Sequence, residues 1–327
     1  MVIIMNELIF EKLKQKLLEF KDVDYGYKQD KNNPQNITNQ TYLNSLKLLN
    51  YLIYEPEVFL TYNRSVQFEF QLNNSYLEVE VFDNHYSIWG DNTYIQYNDN
   101  GINIKLDDLF EVINHIKIFY NGLPKKSVLF TGAFNPPTIA HYHMIESSIN
   151  NGFDYVIFAT SNQKFLDRKQ KKIKNNSGFA YSEKERIEML LAMTFENPKV
   201  LIFGVEQGYT YEVLCAVKNK YNITNLYFAM GSDKLNEIDR WGFHNQLLKE
   251  FCFYVLIRGS DNENIVKQKC NHLFENTNYI IGKDNEEYKN ISATQVRFKI
   301  VNNEDISYLV HPKVKKILQN KKHPLRN

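Results

Sequence analysis

Five short apolar runs, at residues 128–130, 155–159, 200–203, 226–230 and 251–257, are separated by stretches with helical periodicity. Runs this short, and apolar on both faces, are the pattern of strands buried between two layers of helix. Neighbouring parallel strands need long crossover connections, and helices supply them. The pattern therefore predicts an α/β unit with a doubly wound parallel sheet. One intervening helix is marked by its start: Ser182-Glu183-Lys184-Glu185 forms a capping box ahead of Ile187, Leu190 and Leu191.

Residues 1–122 carry a different rhythm. Val66-Gln67-Phe68-Glu69-Phe70-Gln71-Leu72 alternates without a fault, and Leu77-Glu78-Val79-Glu80-Val81 repeats the alternation after Asn73-Asn74. Such alternation predicts an antiparallel hairpin with one wet face. A third strand is expected at residues 86–89, and helices at 7–20, 42–54 and 106–120, with a polar loop over 22–40. Asn121-Gly122-Leu123-Pro124 is a break signal. The expected organisation is a small α+β domain with antiparallel strands at 1–122, followed by the doubly wound domain at 123–327.

Composition narrows the function. Lys and Arg number 39 against 38 Asp and Glu, so nothing general attracts nucleic acid or an anionic membrane surface. Any phosphate binding must be local. Cys215, Cys252 and Cys270 are scattered without CxxC spacing, which argues against a disulfide framework or a zinc site. No apolar stretch approaches the length of a membrane span. A cytoplasmic protein is expected; a homo-oligomer is left open, with no residue arguing for it.

The local phosphate chemistry has a candidate seat. Gly132-Ala133-Phe134-Asn135-Pro136-Pro137-Thr138-Ile139-Ala140-His141 follows the first parallel strand and precedes a helix expected to start near His141. A strand, a tight loop and a helix N-terminus bring free backbone N–H groups to an anion. Thr138 and His141, three residues apart, can both donate to one anionic group. His143 lies on another helix face and reads as structural.

This segment resembles the (H/T)xxH signature of the nucleotidylyltransferase superfamily, and its GxFNPxTxxH form most resembles nicotinamide/nicotinate mononucleotide adenylyltransferases. Ile291-Ser292-Ala293-Thr294-Gln295-Val296-Arg297 is similar to that family's late ISxTxxR motif, and Met230-Gly231-Ser232-Asp233 with Trp241 to its G(S/A)D…W stretch. The resemblance covers roughly residues 125–320. It implies a Rossmann-like nucleotidylyltransferase that joins ATP to nicotinamide or nicotinic acid mononucleotide and releases pyrophosphate.

Site residues follow from the same resemblance. His141, Thr138 and Arg297 are the catalytic candidates. Gly132, Phe134, Gly231, Asp233, Ser292, Thr294 and Lys164 are candidates for ATP, with Asp233 on the ribose and Ser292, Thr294 and Arg297 on the β/γ-phosphates. Trp241, Thr210 and Asn135 are candidates for the pyridine substrate, Trp241 as a stacking plate. The family's next Thr after Tyr209-Thr210 is Val213 here, which weakens Thr210. Mg²⁺ is expected to arrive with ATP rather than in a protein cage. The basic run at 169–174 could fold over bound ATP. Competing readings are phosphopantetheine or another small-molecule nucleotidylyltransferase, and a non-enzymatic nucleotide sensor.

Overall fold

The computed structural model describes residues 4–22, 36–91, 101–164, 166–167, 179–205, 208–257, 261–275, 277–283, 287–288 and 290–321. The chain divides into two compact units, Met1–Gly122 and Leu123–Asn327. The basic run at 169–174 falls outside the described residues. Among the described residues, no helix is long and apolar enough to cross a membrane.

The first unit contains α1 (Glu7–Asp22), α2 (Asn39–Leu49), strands β1 (Glu57–Leu60), β2 (Val66–Leu72), β3 (Ser75–Val81), β4 (His85–Gly90) and β5 (Ile102–Lys105), and α3 (Leu109–Asn121). The strands pair in sequence order as an antiparallel meander. Val66, Phe68, Phe70, Leu77, Val79 and Val81 are buried, while Gln67, Glu69, Glu78 and Glu80 lie on the opposite face. A one-residue slip would exchange the two sets, so the alternation pins the register. Asn73 turns the hairpin at φ 54°, a conformation Asn tolerates better than most residues.

Three sequence expectations for this unit are corrected. Helix α2 begins at Asn39 rather than 42 because Thr38 caps it, its Oγ1 accepting from Thr41 N–H at 3.0 Å. It stops at Leu49 rather than 54, and Tyr54 instead bridges Ile4 in antiparallel fashion. The edge strands β1 and β5 are additions. At four residues each they are too short for alternation to stand out.

The second unit contains β6 (Lys126–Gly132), α4 (Ile139–Asn150), β7 (Tyr155–Thr160), α5 (Glu183–Thr194), β8 (Val200–Phe203), α6 (Thr210–Tyr221), β9 (Asn225–Gly231), α7 (His244–Glu250), β10 (Cys252–Ile257), α8 (Glu263–Leu273), β11 (Tyr279–Lys283), α9 (Ala293–Val301) and α10 (Pro312–Asn320). The strands form the expected doubly wound parallel sheet, in the order β11-β10-β9-β6-β7-β8. β11 was not among the expected strands; it is an edge with only Gly282 buried, so it lacks an apolar run. The capping box at Ser182 is present, with Glu185 Oε2 accepting from Ser182 N–H at 2.8 Å and Ser182 Oγ from Glu185 N–H at 3.3 Å.

Winding runs outward from β6 in both directions, through β7 to β8 and, after a crossover, through β9 to β11. The reversal falls between β6 and β9. In open α/β sheets the ligand crevice lies at such a switch point, beyond the carboxyl ends of the strands. Here the crevice has a visible cause. The pairing of β6 with β9 stops at Leu129↔Phe228, although β6 continues to Gly132 and β9 to Gly231. β6 stays paired to β7 as far as Gly132↔Thr160. The ends of β6 and β9 therefore part, and a cavity opens between them.

Candidate active site

That cavity encloses about 410 Å³ and is lined by residues of both strand ends, a size usual for small-ligand sites. It brings together Gly132, Phe134 and His141 from the first motif with Gly231, Asp233 and Trp241 from the patch after β9. Residues a hundred positions apart thus share one site because the two loops leave adjacent strands.

The loop after β6 is shaped from within. Phe134 adopts φ 44°, and its ring folds back over Gly132. A Cβ at Gly132 would sit 3.0–3.3 Å from three atoms of that ring, so a side chain there would press on the Phe134 ring and push it outward by a few tenths of an ångström. The Phe134 ring meets Phe158 edge-on at 5.4 Å and His141 edge-on at 5.0 Å. Asn135–Pro136 is a cis peptide.

Helix α4 starts at Ile139, not near His141, because Thr138 is its N-cap. His141 therefore sits in the first turn. Its Nδ1 accepts from the Thr138 backbone N–H at 2.9 Å, and the Thr138 hydroxyl lies 2.9 Å from the same nitrogen. With Nδ1 accepting, the neutral ring carries its proton on Nε2. Thr138 itself is fully buried and is not part of the cavity wall. Its backbone N–H and its hydroxyl both meet His141 Nδ1.

Two further candidates stand behind the loop. Asn135 is buried, its Nδ2 donating to Phe179 O at 3.1 Å and its Oδ1 accepting from Tyr181 N–H at 2.9 Å. Both ends of its amide thus hold backbone, and it is not among the residues lining the cavity. Arg297 is also buried, with Nη1 donating to Asn135 O at 2.6 Å and Nη2 to Thr294 Oγ1 at 3.2 Å. Desolvation lowers its pKa from the ordinary value, with Tyr181 opposing. Part of the planar fork expected for the β/γ-phosphates is thus engaged with the loop. Ser292 caps α9, accepting from Gln295 N–H at 3.2 Å, and both Ser292 and Thr294 are exposed.

A family model described as cytidylyltransferase-like matches residues 129–299, just over half of the chain. A Clostridium novyi protein named "probable nicotinate-nucleotide adenylyltransferase" is 31% identical over 195 residues, covering 58% of this chain and 94% of its own. The chain belongs to the nicotinate-nucleotide adenylyltransferase family, within the cytidylyltransferase-like group. A Fusobacterium nucleatum protein of the same name is 29% identical over 201 residues, covering 59% of this chain and 97% of its own. A solved structure, the Plasmodium falciparum nicotinic acid mononucleotide adenylyltransferase complexed with APC, overlaps 59% of this chain and 94% of its own, with 19% identity and a TM-score of 0.46.

In this nicotinate-nucleotide adenylyltransferase family member several expected residues stand away from the cavity. Lys164 is exposed and Thr210 is the first residue of α6; neither lines it. His143 stacks on Tyr288 at 3.9 Å, outside the cavity wall. Trp241 does line it, half-buried and edge-on to Phe228 at 5.8 Å. Lys234, part of the Met230–Leu235 patch but given no role from the sequence, also lines the cavity. Its ammonium lies 3.1 Å from Glu237 and 3.6 Å from Asp233. The Glu237 hydrogen bond is the main cause raising its pKa, so it is a firm cation at neutral pH. The signal was available, since a Lys directly after the Gly-Ser-Asp turn faces the same crevice as the turn.

Proposed function

We infer that the Leu123–Asn327 unit transfers the adenylyl group of ATP to a pyridine mononucleotide, with nicotinic acid mononucleotide as the acceptor that its relatives' names indicate. The observation that supports this best is the shared cavity. It joins the loop bearing His141 to the turn bearing Asp233 where β6 and β9 part.

The reaction needs alignment and charge stabilisation more than covalent help. A phosphate oxygen of the mononucleotide forms a bond to the α-phosphorus, the bond from that phosphorus to the bridging oxygen breaks, and pyrophosphate leaves with the electron pair. His141, fixed through Nδ1, directs its Nε2–H to the α-phosphate oxygens, whose charge grows in the transition state. Asp233 suits the ribose hydroxyls as an acceptor. Trp241 suits the pyridine ring as an apolar wall, and the Lys234 cation suits phosphate. Mg²⁺ fits as an ion carried in on phosphate oxygens: among the described residues no group of three or more His, Cys, Asp or Glu side chains could hold a metal. When bound it would neutralise charge on the phosphates.

The test is direct. Purified protein with ATP, Mg²⁺ and nicotinic acid mononucleotide should release pyrophosphate and form the dinucleotide. The amide mononucleotide run in parallel reads the preference. Formation of neither dinucleotide overturns the assignment.

A further inference from the structure

Arg186, on α5, belongs to none of the recognised motifs, yet it is completely buried. Its Nη1 donates to Ala133 O at 2.8 Å, and its Nη2 donates to Ser161 O at 2.9 Å and Gln163 Oε1 at 3.2 Å. Ala133 follows β6 and Ser161 follows β7, so one planar fork ties the carboxyl ends of two neighbouring strands. Burial of a guanidinium is costly, but a hydrophobic side chain at the same place would strip Ala133 O and Ser161 O of their donor. The buried cation serves to fix these two carbonyls.

Three carbonyls of the loop are each held by a donor from outside it. Gly132 O accepts from Ser161 N–H at 2.7 Å, Ala133 O from Arg186, and Asn135 O from Arg297. In a trans peptide the C=O and N–H point in opposite directions. When Ala133 O is drawn onto Arg186, the N–H of Phe134 must point away from it, and Phe134 lines the cavity. We propose that Arg186 is a positioning residue, which holds the Ala133 carbonyl so that the Phe134 N–H is presented to the phosphates of the nucleotide. This rests on the adenylyl-transfer function inferred above. Lysine cannot substitute, because a single ammonium on a flexible stem does not reproduce a planar fork spanning two strands.

The experiment compares wild type with Arg186→Lys, Arg186→Gln and a control, Met189→Ala, which empties an equally buried position of the same helix. Melting temperature, kcat, both KM values and calorimetric ATP affinity are measured for each. Arg186→Lys should lower kcat/KM for ATP roughly 10- to 100-fold, the usual penalty for a misplaced donor. Its KM for the mononucleotide should stay within about threefold, a sign that uniform binding of that substrate is intact. Met189→Ala should lose stability and keep the ATP parameters. Wild-type ATP kinetics in Arg186→Lys, or the same ATP defect in Met189→Ala, overturns the proposal. If neither Arg186 variant folds, Gln163→Leu, which takes one acceptor from the same fork, decides: an ATP-specific loss supports it and unchanged ATP parameters reject it. If wild type forms no dinucleotide, the functional assignment fails, and the calorimetric ATP affinities still judge the role of Arg186.

Discussion

Removal of His141 separates the imidazole's chemical task from the device that aims it. Nδ1 is engaged by the Thr138 backbone N–H at 2.9 Å, so the neutral ring carries its proton on Nε2. His141→Ala deletes a preorganised donor whose value is realised mainly as charge builds on the α-phosphate. Loss of one such donor costs about 10²–10³ in kcat, or about 3–4 kcal/mol. Ground-state affinity for ATP should move little, since the interaction strengthens only in the transition state. Thr138→Val leaves the backbone N–H in place and removes only the hydroxyl, so its kcat should fall by roughly tenfold at most, the scale of one neutral hydrogen bond. The assay is dinucleotide formation with saturating ATP and mononucleotide, together with calorimetric ATP titration. A kcat for His141→Ala within tenfold of wild type would refute the role. Equal damage in Thr138→Val would show that the hydroxyl, not the backbone, orients the ring.

Three further outcomes are expected. Asn135→Ala breaks two hydrogen bonds to the backbone of Phe179 and Tyr181, which should cost roughly 2–4 kcal/mol in chemical denaturation; a loss below about 1 kcal/mol would remove the brace. Burial lowers the Lys117 ammonium from 10.5 to about 7, so between those values the unfolded chain holds a proton that the folded one does not, and stability rises with pH through that window. The stability advantage of Lys117→Met over wild type should therefore shrink between pH 7 and pH 10; a constant difference in urea unfolding would contradict the shift. Finally, a fragment of residues 123–327 should fold and retain dinucleotide synthesis, and a folded but inactive fragment would show that residues 1–122 help to build the site.

Much of the fold was legible because it is written in short-range patterns. Strict alternation over residues 66–72 and 77–81 leaves a half-buried antiparallel sheet little alternative, and uninterrupted apolar runs such as 155–159 demand strands covered on both faces. The strands that escaped, β1, β5 and β11, are short and mostly unburied, so no apolar run marks them; β8, equally short and also at an edge, was legible because all four of its residues are buried. Glycine at 132, histidine at 141 and the Gly231-Ser232-Asp233 turn could be singled out along the chain because they stand in short contiguous motifs that resemble those of a known family. Which partner each side chain meets is a property of the folded sheet. Only the tertiary structure sets β6 beside β9, parts them after Leu129 and Phe228, and so makes one cavity from two distant loops. The same assembly takes Asn135 and part of the Arg297 fork to hold the loop, and brings Arg186 beneath Ala133 from 53 residues away. A buried hydrogen bond of that span leaves no periodicity behind, since its energy comes from the meeting of two groups rather than from either one's neighbours in sequence.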